Sequence, residues 1–423
     1  MGTSRSLGRP FGWLWAAYAT STFGTYLAFD AFPLIAIVVL DAGPARVSLL
    51  AAAGLLVGAA LAVPLGPWIE VRRKRPVMIA MDLVRCAALL TVPAAYALGA
   101  LTFGQLVVVS ILVGAADIAF TAASGACLKA LVRPDDLLAA NGRFESTLWT
   151  ATMLGPPLGG AAIGAFGPVA TVAANAASFL LSAAGIRAIG GTEPRPRPRG
   201  TRLRAGDLLE GWRHILTDPV LRPLFLNVIL VNGLIMATAP VLAVLMLGRL
   251  GFAPWQYALA FAVPCAGGLI GSRLAGPLVA RFGRRRVMLA AGSLRACWLL
   301  GLAFVQPGAA GIALVIAVEF GLITCIGVFT PLLATHRLER TPPDRVARVL
   351  SAWSVTGKLT MAGLTALWGV LARPRRLPPR DRGGGRPRPR DPAAAPPAPR
   401  GRGRSASRPS TRRLDAGQSP VRA

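Results

Sequence analysis

Eleven apolar runs, each near or above the about 20 residues that a helix needs to cross the hydrocarbon core of a bilayer, dominate this chain. They cover residues 11–40, 47–69, 76–98, 103–128, 146–165, 168–186, 223–248, 251–272, 287–306, 308–335 and 349–372. Lipid offers backbone N–H and C=O groups no partner, so spanning segments of this kind must be helical. The fifth and sixth runs come from one uncharged stretch, Ser146 to Ile186, and Gly164-Ala165-Phe166-Gly167-Pro168 predicts a tight turn between them. With 54% hydrophobic and 15% charged residues, the 423-residue chain is too apolar for a water-soluble protein. The expected fold class is an all-α polytopic membrane protein.

Orientation follows from the loops, because Lys and Arg are retained on the cytoplasmic side. One alternate set of loops holds Arg5 and Arg9, Arg72 to Arg75, Lys129, Arg133 and Arg143, Arg281 and Arg284 to Arg286, and two further basic groups at 187–222 and 337–348. The opposite set holds only Arg46 and Arg249. The pattern predicts a multi-pass protein of the inner or plasma membrane with a cytoplasmic N-terminus, and explains most of the net charge of +28 without nucleic acid as a partner. The first run is too long for a signal-peptide core and has no small-residue cleavage site, so it is expected to remain as a span.

Catalytic and metal chemistry find no footing. The five cysteines, Cys86, Cys127, Cys265, Cys297 and Cys325, lie in apolar runs without C-x-x-C spacing. His214 and His336 stand far apart in basic segments, with no nucleophile, orienting acid or second ligand beside them. No enzyme activity, cofactor or metal is expected.

The longest basic loop divides the runs six and five. The expected organisation is an N-terminal six-helix bundle at 1–186, a linker at 187–222, a five-helix bundle at 223–372 and a disordered Arg/Pro-rich tail at 373–423. Within the linker, Pro194 to Arg199 reads as extended chain, and Leu208 to Leu216 as an amphipathic helix lying at the lipid surface. An offset of 210 residues brings one segment of each bundle into register: Gly66-Pro67 meets Gly276-Pro277, Lys74-Arg75 meets Arg284-Arg285, Val77-Met78 meets Val287-Met288, and Arg85 meets Arg295. The bundles are therefore parallel repeats of one helical unit.

Those residues resemble the major facilitator superfamily. Gly66 to Arg75 is similar to its G-x-x-x-D-R-x-G-R-R loop, with Glu70 at the acidic position and Arg73 where Gly is usual. The second copy, Gly276 to Arg285, keeps Gly283 but carries Ala280 at the acidic position. Gly155-Pro156-Pro157-Leu158-Gly159-Gly160 resembles the G-P-x-x-G-G motif of drug:proton antiporters. Val132 to Asn141 and Asp207 to Gly211 resemble stretches of macrolide and siderophore exporters. The resemblance covers residues 11 to about 372 and implies two parallel six-helix repeats around a central cavity, the second lacking its last helix. It implies a monomeric alternating-access exporter that exchanges small drugs, antibiotics or siderophores for protons. A facilitator or importer of a small metabolite, or a truncated copy that transports nothing, are the alternatives.

Within that comparison the residues take expected roles. Gly66, Glu70, Arg72, Arg73, Arg75, Gly276, Arg284 and Arg285 form a conformational latch, Glu70 locking the state closed to the inside; a solvated loop carboxylate is the alternative. Gly155, Pro156, Gly159 and Gly160 permit close helix approach and a kink, suiting a moving contact between the two halves. Ordinary small-residue packing would use the same residues.

Charges inside spans cost at least ~2.5 kcal/mol each on insertion scales, so each needs a partner or a cavity. Asp82 and Arg85, three residues apart, are expected to form a structural ion pair. Arg273 and Arg295 are expected to snorkel as anchors. Asp30, Asp117 and Glu319, in the first, fourth and tenth runs, are the candidates for proton coupling or for binding a cationic substrate, with Lys358 as a partner for one of them. A carboxyl bonded to a neighbouring helix is the structural alternative for each. Asn227 and Asn232 read as interhelical glue.

After Ala372 the chain turns to Arg, Pro, Gly and Ala, with 15 Arg against 3 Asp and no apolar run. Eleven spans would put this tail outside, against the orientation rule. A reading-frame shift in a GC-rich gene fits best, since only Lys74, Lys129 and Lys358 among 46 basic residues are lysine. A non-inserting eleventh run, or a disordered arm binding anionic lipid or nucleic acid, are the other two readings.

Overall fold

The computed structural model describes residues 7–191, 193, 205–243, 245–246 and 250–371, and these are predominantly helical, with no strand among them. The Pro194–Arg199 stretch and the tail after residue 371 lie outside the described residues. The helices are α1 (Arg9–Leu27), α2 (Ala31–Leu34, continued by a π turn at Ile35–Val39), α3 (Pro44–Ala62), α4 (Leu65–Glu70), α5 (Lys74–Ala97), α6 (Phe103–Leu131) and α7 (Leu137–Arg187). After the linker come α8 (Ala205–Thr217), α9 (Leu221–Ala243), α10 (Pro254–Ala262), α11 (Cys265–Phe282), α12 (Arg284–Cys297, extended by a 3₁₀ segment at Trp298–Phe304), α13 (Ala309–Arg340) and α14 (Val346–Leu371).

Seven helical segments among the described residues are long and apolar enough to cross a membrane, or eight if the bent pair α8 and α9 counts as one span. Each of the eleven expected runs meets a helix at its predicted place, two of them sharing the 51-residue α7. The break inside α7 is confined to Gly167, whose φ of 82° admits glycine at little cost. Pro168 follows it and cannot donate to the preceding turn, so two spans emerge from one uncharged stretch. Start signals elsewhere are equally local. Pro10 and Pro44 open α1 and α3, and the Thr102 hydroxyl accepts the Gln105 N–H to cap α6 at 3.2 Å.

Small residues set the packing inside each half. α1 lies along α7, α3 along α6, and α5 between α6 and α7. In the second half α11 and α12 flank α13, and α9 lies along α14. One core gathers Phe11, Leu14, Met78, Phe120 and Leu128 beside Leu338, Ala347 and Leu350 of the second half. Hydrophobic burial therefore runs across the boundary between the halves on the side where the basic loops lie, called the basic face below.

The linker helix α8 is amphipathic: Trp212 and Ile215 pack against the second half, while Leu209 and Leu216 stay exposed. Ile215 is fully buried, and the Trp212 indole N–H donates to Thr356 Oγ1 at 2.8 Å. Glu210 forms ion pairs with Arg345 (3.2 Å) and Arg348. A Cβ on Gly211 would come within 2.4 Å of the Arg348 carbonyl oxygen, so only glycine permits this approach to α14. An amphipathic helix suits a protein groove as well as a membrane surface, and here α14 supplies the partner charges for Glu210.

α8 hands over to α9 through Asp218, whose carboxylate accepts the backbone N–H of Val220 at 2.8 Å and of Leu221 at 2.9 Å. Burial alone would push this carboxyl up, but the two N–H groups, with Arg340 and His214 nearby, hold it below its ordinary value. A depressed carboxyl stabilises the fold above its unfolded pKa, and the contribution is lost as pH falls through the folded one. Asp218→Ala is expected to cost about 1 kcal/mol, seen as a lower melting temperature of the purified protein at pH 7 that converges on wild type in acid.

Candidate functional site

Two seams join the halves on the basic face. In the first, α14 packs against α3, α4 and α6. Glu70 is buried, and its Oε2 accepts the backbone N–H of Arg348 at 3.2 Å, while Ser351 Oγ donates to the Ala62 carbonyl at 3.3 Å. A Cβ on Gly66 would lie 3.1 Å from Ser351 Cβ, so the glycine sets how closely α4 and α14 meet. Lys129, at the end of α6, donates to the carbonyls of Leu338 and Thr341. In the second seam, α7 packs against α11 and α13: Asn141 donates to Thr335 Oγ1 at 3.0 Å, and the hydroxyls of Ser146 and Ser272 share a hydrogen bond of 2.7 Å.

The expected latch residues do not act alike. Arg72 and Arg73 are exposed and make no pair with Glu70; Arg72 stacks over Trp68 at 4.6 Å. Arg75 donates to the carbonyls of Ile189, Gly190 and Gly191, closing the loop onto the end of α7. Lys74 donates to three carbonyls at the end of α4, those of Ile69, Glu70 and Arg72. The second copy makes no such latch among the described residues. Gly276 faces open space, Arg285 is exposed, and Arg284 pairs with Glu339 of its own half at 2.9 Å. Ala280, without a carboxylate, has nothing with which to reach the other half.

The Gly155 to Gly160 segment makes its close approaches at two of its glycines. A Cβ on Gly155 would fall 2.5 Å from Tyr26 Cβ and one on Gly159 2.1 Å from the Leu27 carbonyl oxygen, whereas Gly160 faces open space. Both close approaches are to α1, within the first half. At these two glycines the segment packs within the first half.

Deeper in, a chain of charges links three helices. Asp82 and Arg85 of α5 form the expected pair, both side chains buried. The Arg85 guanidinium lies between Phe120 at 4.5 Å and Phe179 at 4.2 Å, a position that offsets part of its burial. Its other end is 3.5 Å from Asp117 Oδ1 on α6. Asp117 Oδ2 in turn accepts from Lys358 Nζ on α14 at 2.9 Å, so the candidate partner crosses between halves. Asp117 is 48% exposed and Lys358 28%, so this pair borders open space. No inter-half hydrogen bond among the described residues lies beyond it toward the other face.

The remaining candidates separate. Asp30 is exposed at the break between α1 and α2, its carboxylate without a hydrogen bond or ion pair among the described residues. Glu319 is buried in α13, within electrostatic reach of Tyr257 and Cys265, and likewise has no partner among the described residues. Arg295 does not snorkel. It is 2% exposed, donates to Asn227 Oδ1 at 2.6 Å and Asn232 Oδ1 at 3.4 Å, and stacks on Phe329 at 4.2 Å. The repeat explains this: Arg295 is the counterpart of Arg85, but Gly292 stands where Asp82 would pair with it, and the two amides on α9 replace the acid. Arg273 is exposed, as an anchor requires.

One residue escaped the sequence reading. Glu145 is buried in α7, accepts the Trp149 indole N–H at 2.8 Å and lies within electrostatic reach of Thr330 of α13 in the other half, whose hydroxyl donates to the Ile326 carbonyl at 2.9 Å. Tyr18 and Tyr26 of α1 lie within its field. It fell one residue before the apolar run counted from Ser146. The signal that would find it is its spacing from Trp149, one helical turn.

The sequence matches the family model described as Major Facilitator Superfamily over residues 14–364. No curated protein matches it at a significant level. Among solved structures it is similar to a bacterial homologue of the iron transporter ferroportin in an outward-facing state, with 15% identity over 86% of this chain and 93% of that one and a TM-score of 0.71. It is also similar to the human organic anion transporter MFSD10, with 14% identity, 85% and 92% coverage and a TM-score of 0.65. The E. coli fucose:proton symporter FucP follows with 12% identity, 87% and 92% coverage and a TM-score of 0.64. These likenesses show the fold. With the family match running from α1 to α14, a polytopic helical bundle and paired repeats, the chain belongs to the major facilitator superfamily of secondary transporters.

Proposed function

We propose that this transporter is a proton-coupled exporter of small amphipathic molecules, working as a monomer by alternating access, with its basic face and N-terminus on the cytoplasmic side of the cell membrane. The observation that carries the reading is the Asp117–Lys358 ion pair, which bridges the halves deep in the fold and borders the space between them. In the opposite state the halves must part here. A proton on Asp117, or a cationic substrate competing for its carboxylate, weakens the bridge and lets Lys358 leave. Glu145 and Glu319, buried without a cation among the described residues, are the further proton-carrying candidates, since a charge left there would lack compensation. Glu145 is the better placed of the two, because Thr330 lies across the seam. Export is supported by the similarity of 132–141, 155–160 and 207–211 to exporter segments.

The test uses the whole protein in sealed vesicles with a fluorescent lipophilic cation and an imposed pH gradient. Movement of the cation against its own gradient is expected, stopping when the pH gradient is collapsed. Glu145→Gln is expected to lower the proton-driven rate at least tenfold while leaving downhill exchange. Movement that ignores the pH gradient would assign the chain to the facilitators.

A further inference from the structure

Outside the charge chain lies a separate cavity of about 800 Å³, bounded by α1, α7 and α11 on the flank of the second seam. Its lining includes Arg143 of the first half, Arg273 of the second, Asp135, Trp15, Phe23 and Pro277. Arg143 and Arg273 are both exposed, and neither has an ion pair among the described residues. The Arg143 guanidinium lies 5.7 Å over the Phe11 ring. Ser146 and Ser272, whose hydrogen bond ties the halves, belong to the same lining.

We propose that this groove holds an anionic phospholipid from the leaflet at the basic face, its phosphodiester seated between Arg143 and Arg273 so that one headgroup bridges the two halves. Depth supports a lipid. Arg143 lies six residues into α7, Trp15 six residues into α1, and Arg273 nine residues from the end of α11. At 1.5 Å per residue these are about 9 to 14 Å from the helix ends. That is the headgroup and acyl boundary, the level that tryptophan and long basic side chains favour. Charge supports an anionic one. Two guanidiniums against the carboxylate of Asp135 leave one positive charge, which a single phosphodiester neutralises and a headgroup bearing its own ammonium does not. Shape separates lipid from a free anion. Trp15, Ala19 and Phe23, all in the lining, recur every four residues and form one stripe along α1 toward the membrane interior, a track for an acyl chain.

The site exists only while α7 and α11 are together. Its occupancy therefore adds a bridge to the state closed on the basic face, and this clause alone depends on the alternating-access reading.

The experiment is native mass spectrometry of the full chain in mild detergent, titrated with phosphatidylglycerol, phosphatidylethanolamine or inorganic phosphate. One phosphatidylglycerol is expected to bind at least fivefold tighter than phosphatidylethanolamine. Arg143→Gln/Arg273→Gln is expected to remove that preference, while Arg143→Lys/Arg273→Lys retains part of it and Arg46→Gln all of it. Should the Gln pair fail to fold, a photoreactive phosphatidylglycerol on the wild-type protein decides, labelling the α1 stripe at residues 15–23. Equal binding of both lipids, an unchanged preference in a folded Gln pair, labelling confined elsewhere, or displacement of lipid by millimolar phosphate would each overturn the proposal. None of these readouts involves transport, so a failure of the exporter reading leaves them intact.

Discussion

Asp117→Asn is expected to abolish proton-driven transport and to lower the stability of the detergent-purified protein by about 1–3 kcal/mol. Removing one partner of a buried ion pair leaves an uncompensated charge, a loss of about 3–5 kcal/mol in a dry interior. Here the lower range applies, because Asp117 and Lys358 are partly exposed to the space between the halves. Lys358→Met removes the stranded ammonium, so the double variant should regain most of the lost stability and none of the coupled transport. That split separates a structural pair from a working one, since a merely structural pair would recover both together. A charge swap at the two positions is expected to fail, because the Arg85 guanidinium, 3.5 Å from Asp117, would then meet a second cation. Proton-driven transport at the wild-type rate in Asp117→Asn would remove the residue from the mechanism.

The second large effect is predicted at the joint between α1 and α7. Gly155→Val and Gly159→Val must each force a side chain into the backbone or Cβ of Tyr26 and Leu27, at positions where a Cβ alone would sit 2.5 and 2.1 Å from its neighbour. Overpacking against backbone, which cannot rotate away as a side chain can, is expected to cost on the order of 3 kcal/mol. Most of the protein should then fail to accumulate folded in the membrane. Gly160→Val, one residue on and facing open space, should express and melt like wild type. Quantifying monodisperse protein by size-exclusion chromatography checks all three. Were the segment a sliding contact between halves, the first two variants would fold normally and lose coupling only.

These expectations show where sequence and structure part company. The Arg85–Arg295 repeat was legible in the residues, yet the two arginines ended in different environments, because Gly292 in place of Asp82 changed the partner available. Glu70 was legible as an acid at a helix end. Its acceptance of the Arg348 N–H was not, since 278 residues separate the two groups. The Gly155 to Gly160 spacing announced close approach without saying to which helix. Glu145 was hidden because a count of apolar residues stops at the first charge, while the helix continues through it.

Sequence alone determined that the chain spans a membrane, roughly where its apolar helical stretches lie and that its halves repeat. Apolar length and the need to satisfy backbone groups in lipid act within a single segment, whatever the rest of the chain does. Only the tertiary structure decided which charges meet: that Lys358 answers Asp117, that α8 docks on α14, and that Arg143 and Arg273 share one groove. Each of those pairings joins residues far apart in the chain. A membrane helix of given composition can turn any of its faces to a neighbour, and packing against the other helices selects one.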